Sequence, residues 1–199
     1  MIYLNYVIFP VIGYIAGSLS FAIWIVRALK GIDLRNVGSG HAGATNVGRH
    51  AGWSWGVIVL ILDILKGYLP VYFAMRFDIP DWVNAATAAL TVIGHCWPLW
   101  ADFRGGMGLA TMGGTLLAVS PLYFLIALGL LIFLTLVMHH AARASVFTGV
   151  LIVPMLWLLN QRGIILWIAS GTGLVIAIRF YLEDWNREYR ELWLDRKKS

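Results

Sequence analysis

Charge is scarce in this sequence. Asp, Glu, Lys and Arg make up 13% of its 199 residues, about half the share of an average soluble domain, which argues against water facing most of the chain. Cysteine is nearly missing too. Cys96 stands alone, which excludes an intramolecular disulfide and leaves it as a small buried hydrophobe. No Lys or Arg precedes Arg27, so the charged start of a cleavable signal peptide is lacking, and the first apolar run reads as a retained span. Heptads, useful internal repeats and low-complexity segments are absent. His139 and His140 have no Asp, Glu or Cys neighbour to complete a ligand set, and adjacent residues point different ways, so no metal is expected. The net charge of +5 is not gathered into one dense patch, which argues against nucleic acid as partner.

What is present is apolar. Hydrophobic residues make up 60% of the chain, with 10 Trp and 21 Gly, and the mean hydropathy is +0.77. Interfacial aromatics and small residues at helix contacts belong to membrane proteins that cross the bilayer repeatedly. The expectation is a single all-α integral membrane domain over residues 1–199. Apolar runs mark seven transmembrane helices: Tyr6–Leu29, Trp53–Met75, Trp82–Trp100, Gly108–Val119, Leu122–Met138, Ser145–Leu159 and Gly163–Ile178. Pro121 and the run Asn160 to Gly163 mark tight connections. Of the 15 Lys and Arg, only Arg76 and Arg162 fall on one side and Lys66 falls inside a span; the remainder share the other side. The positive-inside rule makes that side cytoplasmic, with the N-terminus outside and the C-terminus inside. The tail from Tyr181 to Leu194 reads as an interfacial amphipathic helix, with Glu183 spaced to pair with Arg187.

The cytoplasmic loops carry the candidate chemistry. Between Ile32 and Arg49 lies the longest polar, glycine-dense stretch of the chain. Gly38, Gly40 and Gly43 bracket Ser39 and His41, and Thr45, Asn46 and Arg49 follow. Glycines allow backbone N–H groups to converge, and hydroxyls, a carboxamide and a guanidinium suit an anion, above all a phosphate. A second loop runs from His95 through Arg104, Gly105, Gly106 and Gly108 into the next helix, where a glycine-rich turn at a helix N-terminus also favours an oxyanion. Within the second span, Asp63 and Lys66 share a helix face and are spaced as an ion pair, whether structural or in contact with a ligand. His139, His140 and Arg143 form a basic cluster suited to anionic membrane lipids.

Taken in order, these motifs resemble the bacterial acyl-phosphate:glycerol-3-phosphate acyltransferases. The matching residues are Gly17-Ser18, Gly38-Ser39-Gly40, Gly43-Ala44-Thr45-Asn46, Arg49, Asp63 with Lys66-Gly67, Gly94-His95, Pro98, Phe103, Gly105-Gly106 and Gly108. The resemblance implies a bacterial inner-membrane enzyme of phospholipid synthesis. It would move a fatty acyl group from acyl phosphate to the 1-hydroxyl of glycerol 3-phosphate, without cofactor, metal or acyl-enzyme intermediate, giving lysophosphatidic acid. On that pattern Ser39, Arg49, His95 and Ser145 form the catalytic set. Gly38, Gly40, Gly43, Thr45, Asn46, Arg104, Gly105, Gly106 and Gly108 form the substrate cradle. The chain departs from the pattern at Met107, where the family has lysine. It departs also at His41 (family Asn), and at Tyr181 and Asp184, which align with a His-x-x-Asn motif. A non-catalytic or substrate-shifted homologue that binds a phosphate-bearing ligand at the membrane interface is the alternative; a small-solute transporter is a third reading.

Overall fold

The computed structural model describes residues 2–185. The run expected as one span from Tyr6 to Leu29 is broken into α1 (Ile2–Gly17) and α2 (Phe21–Lys30). The cause is local. Ser18 Oγ donates to Tyr14 O at 2.8 Å and Ser20 Oγ to Ser18 O at 3.1 Å, bonds that compete with the helical ladder. Leu99, from a distant turn, donates its amide to Ser18 Oγ at 3.3 Å. The break exposes Leu19 O, which accepts from Lys66 Nζ at 2.8 Å. Lys66 lies on α4 (Trp53–Ala74) and also pairs with Asp63 Oδ1 at 2.9 Å. Both side chains are buried, so the pair fastens α4 to the broken first helix.

After Lys30 the chain forms a loop and the two-turn helix α3 (Ala44–Ala51). Beyond α4 come α5 (Asp81–Cys96), α6 (Leu109–Val119), α7 (Pro121–Met138), α8 (Ala141–Leu158) and α9 (Ile164–Asp184). Five stretches are long and apolar enough to cross a membrane: Tyr3–Lys30, Trp53–Ala74, Pro121–Met138, Ala141–Leu158 and Ile164–Glu183. The sequence suggests seven. The difference lies in α5, with 16 residues, and α6, with 11; both fall short of the roughly 20 that cover a hydrocarbon core.

α5 sits between α1 and α9, α4 lies against α6, and α8 against α9. Small residues allow this. A methyl on Gly17 would overlap Thr91 O, one on Gly114 would overlap Ile64 O, and Gly149 and Gly173 press on each other's carbonyl oxygens. Val92, Cys96, Met112, Ile168 and Ile176 fill the core between these helices. α7 stands outermost, with Ala127 its only buried residue.

The connections sort to two ends. At one end, Ser120 Oγ accepts from Leu122 N at 3.3 Å ahead of α7, and the turn before α9 uses Asn160 and Gly163 at φ 58° and 73°. Tyr123 OH donates to Gln161 Oε1 at 2.7 Å, joining these two links. At the other end lie the loop before α3, the turn between α5 and α6, and the link into α8. His140 caps α8, its Nδ1 accepting from Arg143 N at 3.3 Å. The Arg143 guanidinium lies 5.6 Å from the Trp185 ring, just past α9. Residues Tyr181 to Asp184, expected to begin a separate surface helix, continue α9; the rest of that expected helix lies outside the described residues.

Candidate functional site

The loop before α3 is stapled from both sides. Leu34–Asn36 forms one 3-10 turn, started by Asp33. Arg35 donates to Asp33 Oδ2 at 2.7 Å, to Ala101 O at 2.7 Å and to Asp102 Oδ2 at 3.0 Å. These bonds tie the first loop to the turn Leu99–Ala101 that follows α5. The hydrogen bond from Arg35 holds the Asp33 carboxyl at about 2, below its ordinary 3.8. Asp33 and then Asp102 raise the Arg35 guanidinium in turn, so this link stays charged across the neutral range.

Asn46 organises the rest of the loop from inside. Its Nδ2 faces Leu34 O, Val37 O and His41 O at 3.2, 3.1 and 3.1 Å, and its Oδ1 accepts from Ser39 N at 3.4 Å. A carboxamide has two donors and one acceptor oxygen, so Asn46 is fully used by the loop's own backbone. Gly38 turns at φ 59° directly against it, where a side chain would overlap Asn46 Oδ1. Ser39 Oγ accepts from His41 N at 3.4 Å. From Gly43, in extended conformation, α3 begins. Thr45 and Arg49 are both exposed on α3, four residues apart and so on one face. Among the described residues the Arg49 guanidinium has no hydrogen-bond partner.

The second loop folds back on the end of α5. Gly105 N donates to Cys96 O and Gly106 N to His95 O, both at 3.1 Å. These two amides are therefore spent on the backbone. Donors left for a ligand include those of the first turn of α6, which starts after Gly108 at φ 85°. Ala42 N, from the first loop, donates to Gly105 O at 3.3 Å. Residues 63 positions apart thereby join in one main-chain bond. Gly106 fits beneath Ala42 O, and its missing side chain leaves room for His95 Nε2. The buried His95 ring has Asp63 on its other flank, Nδ1 to Oδ1 at 3.6 Å. That is too long for a hydrogen bond.

The remaining expected residues sit differently. Arg104 is exposed at the rim of the second loop. Ser145 is buried in the first turns of α8, and its Oγ donates to Ala141 O at 2.8 Å within its own helix. Met107 is partly buried and, like Trp97 and Leu109, packs against the apolar core.

Two residues of this region escaped the sequence reading. Arg179, on α9, was counted only as a cytoplasmic charge, yet it is 3% exposed. Its Nε donates to Gly106 O at 3.3 Å and its guanidinium lies 5.0 Å from the Trp97 ring. Glu183 accepts from Arg179 one turn back; Arg187, its expected partner, lies outside the described residues. Its other oxygen stands 3.9 Å from His41 Nδ1. The available signal was a lone Arg inside an apolar run with Glu at i+4.

A family model described as glycerol-3-phosphate acyltransferase matches residues 7–187. The glycerol-3-phosphate acyltransferase of Aquifex aeolicus is 37% identical over 182 residues, covering 89% of this chain and 92% of its own. That of Desulforamulus reducens is 37% identical over 162 residues, 81% of each chain. The crystal structure of PlsY (YgiH), an integral membrane glycerol 3-phosphate acyltransferase, in its glycerol 3-phosphate form superposes with TM-score 0.77 at 35% identity. It covers 89% of this chain and 88% of that one. By sequence and by fold, the chain belongs to the glycerol-3-phosphate acyltransferase family.

Proposed function

We propose that this protein transfers a fatty acyl group from acyl phosphate to the 1-hydroxyl of glycerol 3-phosphate, giving lysophosphatidic acid. Acyl transfer to glycerol 3-phosphate in phospholipid synthesis follows from the family; the acyl-phosphate donor and the residue roles are our reading. The bond from Ala42 to Gly105 carries it, because it brings two glycine-rich loops to one place at one end of the helices. Both substrates are anions and one has an acyl chain, so such a place at the membrane surface suits them. Thr45 and Arg49 on the outer face of α3, Ser39 beside them and Arg104 across the loop would hold phosphate oxygens. The first turn of α6 would meet the second phosphate or the developing oxyanion, with His95 keeping Gly106 in place.

In the reaction the glycerol hydroxyl oxygen bonds to the acyl carbon as the carbon–phosphate oxygen bond breaks. The hydroxyl proton leaves with the departing phosphate. Nothing in this scheme needs a side chain as nucleophile, so the protein's work is alignment and charge stabilisation. Seven crossings with the site on the cytoplasmic side complete the reading: α5 and α6, though short, join ends that alternate like those of the longer helices.

The test is lipid product analysis by mass spectrometry after supplying acyl phosphate with glycerol 3-phosphate and other polyol phosphates. Lysophosphatidic acid is the expected product. The packing of the uncharged Met107 side chain against the apolar core favours a second reading, a phosphate binder without turnover. Folded protein that is stabilised by glycerol 3-phosphate yet forms no product selects it.

A further inference from the structure

Position 107 brings no charge to the second loop. Met107 is partly buried and packs against the apolar core, where the family pattern puts a lysine. One residue earlier, Gly106 O accepts from Arg179 Nε at 3.3 Å. Arg179 therefore brings a cation to the same turn, but from α9. It is among the most buried charges of the described residues, at 3% exposure, and rests over Trp97. A guanidinium has five N–H donors, and its acceptors among the described residues are Gly106 O and Glu183. Glu183 is 38% exposed at its side chain and reaches toward His41 of the first loop, 3.9 Å away. Its carboxylate thus stands between Arg179 and the first loop, where a bound anion could take its place.

We infer that Arg179 is a phosphate-binding residue of this site, replacing the lysine lost at position 107, with Glu183 as the counter-ion that the substrate phosphate displaces. The inference rests on the acyl-transfer reading for its substrate and on the Arg179–Gly106 contact for its geometry. A planar guanidinium grips phosphate through paired donors, and exchanging one anion for another keeps the buried cation paired throughout. Glu183 then competes with the substrate.

The test compares wild type with Arg179→Gln, Arg179→Lys, Glu183→Gln and the double variant Arg179→Gln/Met107→Lys. Two readouts are used: kcat and KM for glycerol 3-phosphate, and the Tm shift given by glycerol 3-phosphate and by inorganic phosphate. Arg179→Gln is expected to raise KM about 10- to 150-fold, the factor for one charged hydrogen-bond partner, and to abolish the phosphate-induced Tm shift. Adding Met107→Lys is expected to recover at least about tenfold of the lost KM. Glu183→Gln is expected to lower KM and enlarge the shift. Arg179→Gln with unchanged KM, or without recovery by Met107→Lys, overturns the inference and leaves Arg179 as packing. If Arg179→Gln fails to fold, Glu183→Gln decides: an unchanged or smaller phosphate shift overturns it. A wild type without turnover would refute acyl transfer, while the phosphate shifts would still test Arg179.

Discussion

Gly106 has no room for even a methyl group. An added carbon would overlap His95 Nε2 and stand 2.7 Å from Ala42 O, so Gly106→Ala must push the two loops apart. Such overpacking costs about 1–3 kcal/mol. The expected result is a fall in kcat/KM of at least about tenfold with a Tm drop of a few degrees, read by steady-state assay and thermal melt. Asn46 makes a related point. Its residue type and place were legible in the sequence as part of an anion cradle, but not its direction, because a carboxamide serves a ligand or a backbone equally well. Here it serves the backbone. Asn46→Ala would orphan several carbonyls and is expected to cost about 2 kcal/mol in stability. Asp33 adds a pH dependence. Its carboxyl is held at about 2 in the folded chain against 3.8 ordinarily. The stabilisation from its bond to Arg35 is therefore complete above pH 4 or so and is lost as pH falls toward 2. Acid titration of the solubilised protein should show this limb, and Asp33→Asn should remove it.

At the level of helices, the broken first span was the feature least legible in the sequence. Gly17-Ser18-Leu19-Ser20 interrupts an otherwise apolar run, but glycine and serine also serve as small contact residues between membrane helices, so composition alone does not mark a break. The partner that stabilises the break, Lys66, lies 47 residues away. The Asp63–Lys66 spacing was readable as a pair, but its second task, holding Leu19 O, needed three-dimensional contact. That dual role gives a prediction. Asp63→Asn leaves a buried ammonium without its carboxylate and is expected to destabilise by about 3–5 kcal/mol. Replacing both residues with apolar ones should cost less than Asp63→Asn alone, the remainder being the unpaired Leu19 carbonyl. Chemical denaturation or thermal melts of the three proteins would check the order.

For the whole molecule, the helices and their connections were largely written in hydropathy and turn residues, whereas the meeting of the two loops was not. No periodicity couples Ala42 to Gly105. Orientation in the membrane is open to a direct measurement. Cys96 is buried, so in a Cys96→Ala background, cysteines placed at Arg104 and at Gln161 report opposite faces. A membrane-impermeant thiol reagent applied to intact cells should label position 161 and spare 104 until the membrane is opened. The reverse pattern would put the loops outside. The link between the loops has one more consequence. Because Ala42 and Gly105 are joined through their main chains, this tie between the halves of the site does not depend on what side chains the two residues carry. Framework and charge can then drift separately: a cation forfeited by one segment can be re-supplied by another without the architecture noticing, whereas Ala42→Pro, which removes the donating amide, would cut the tie directly.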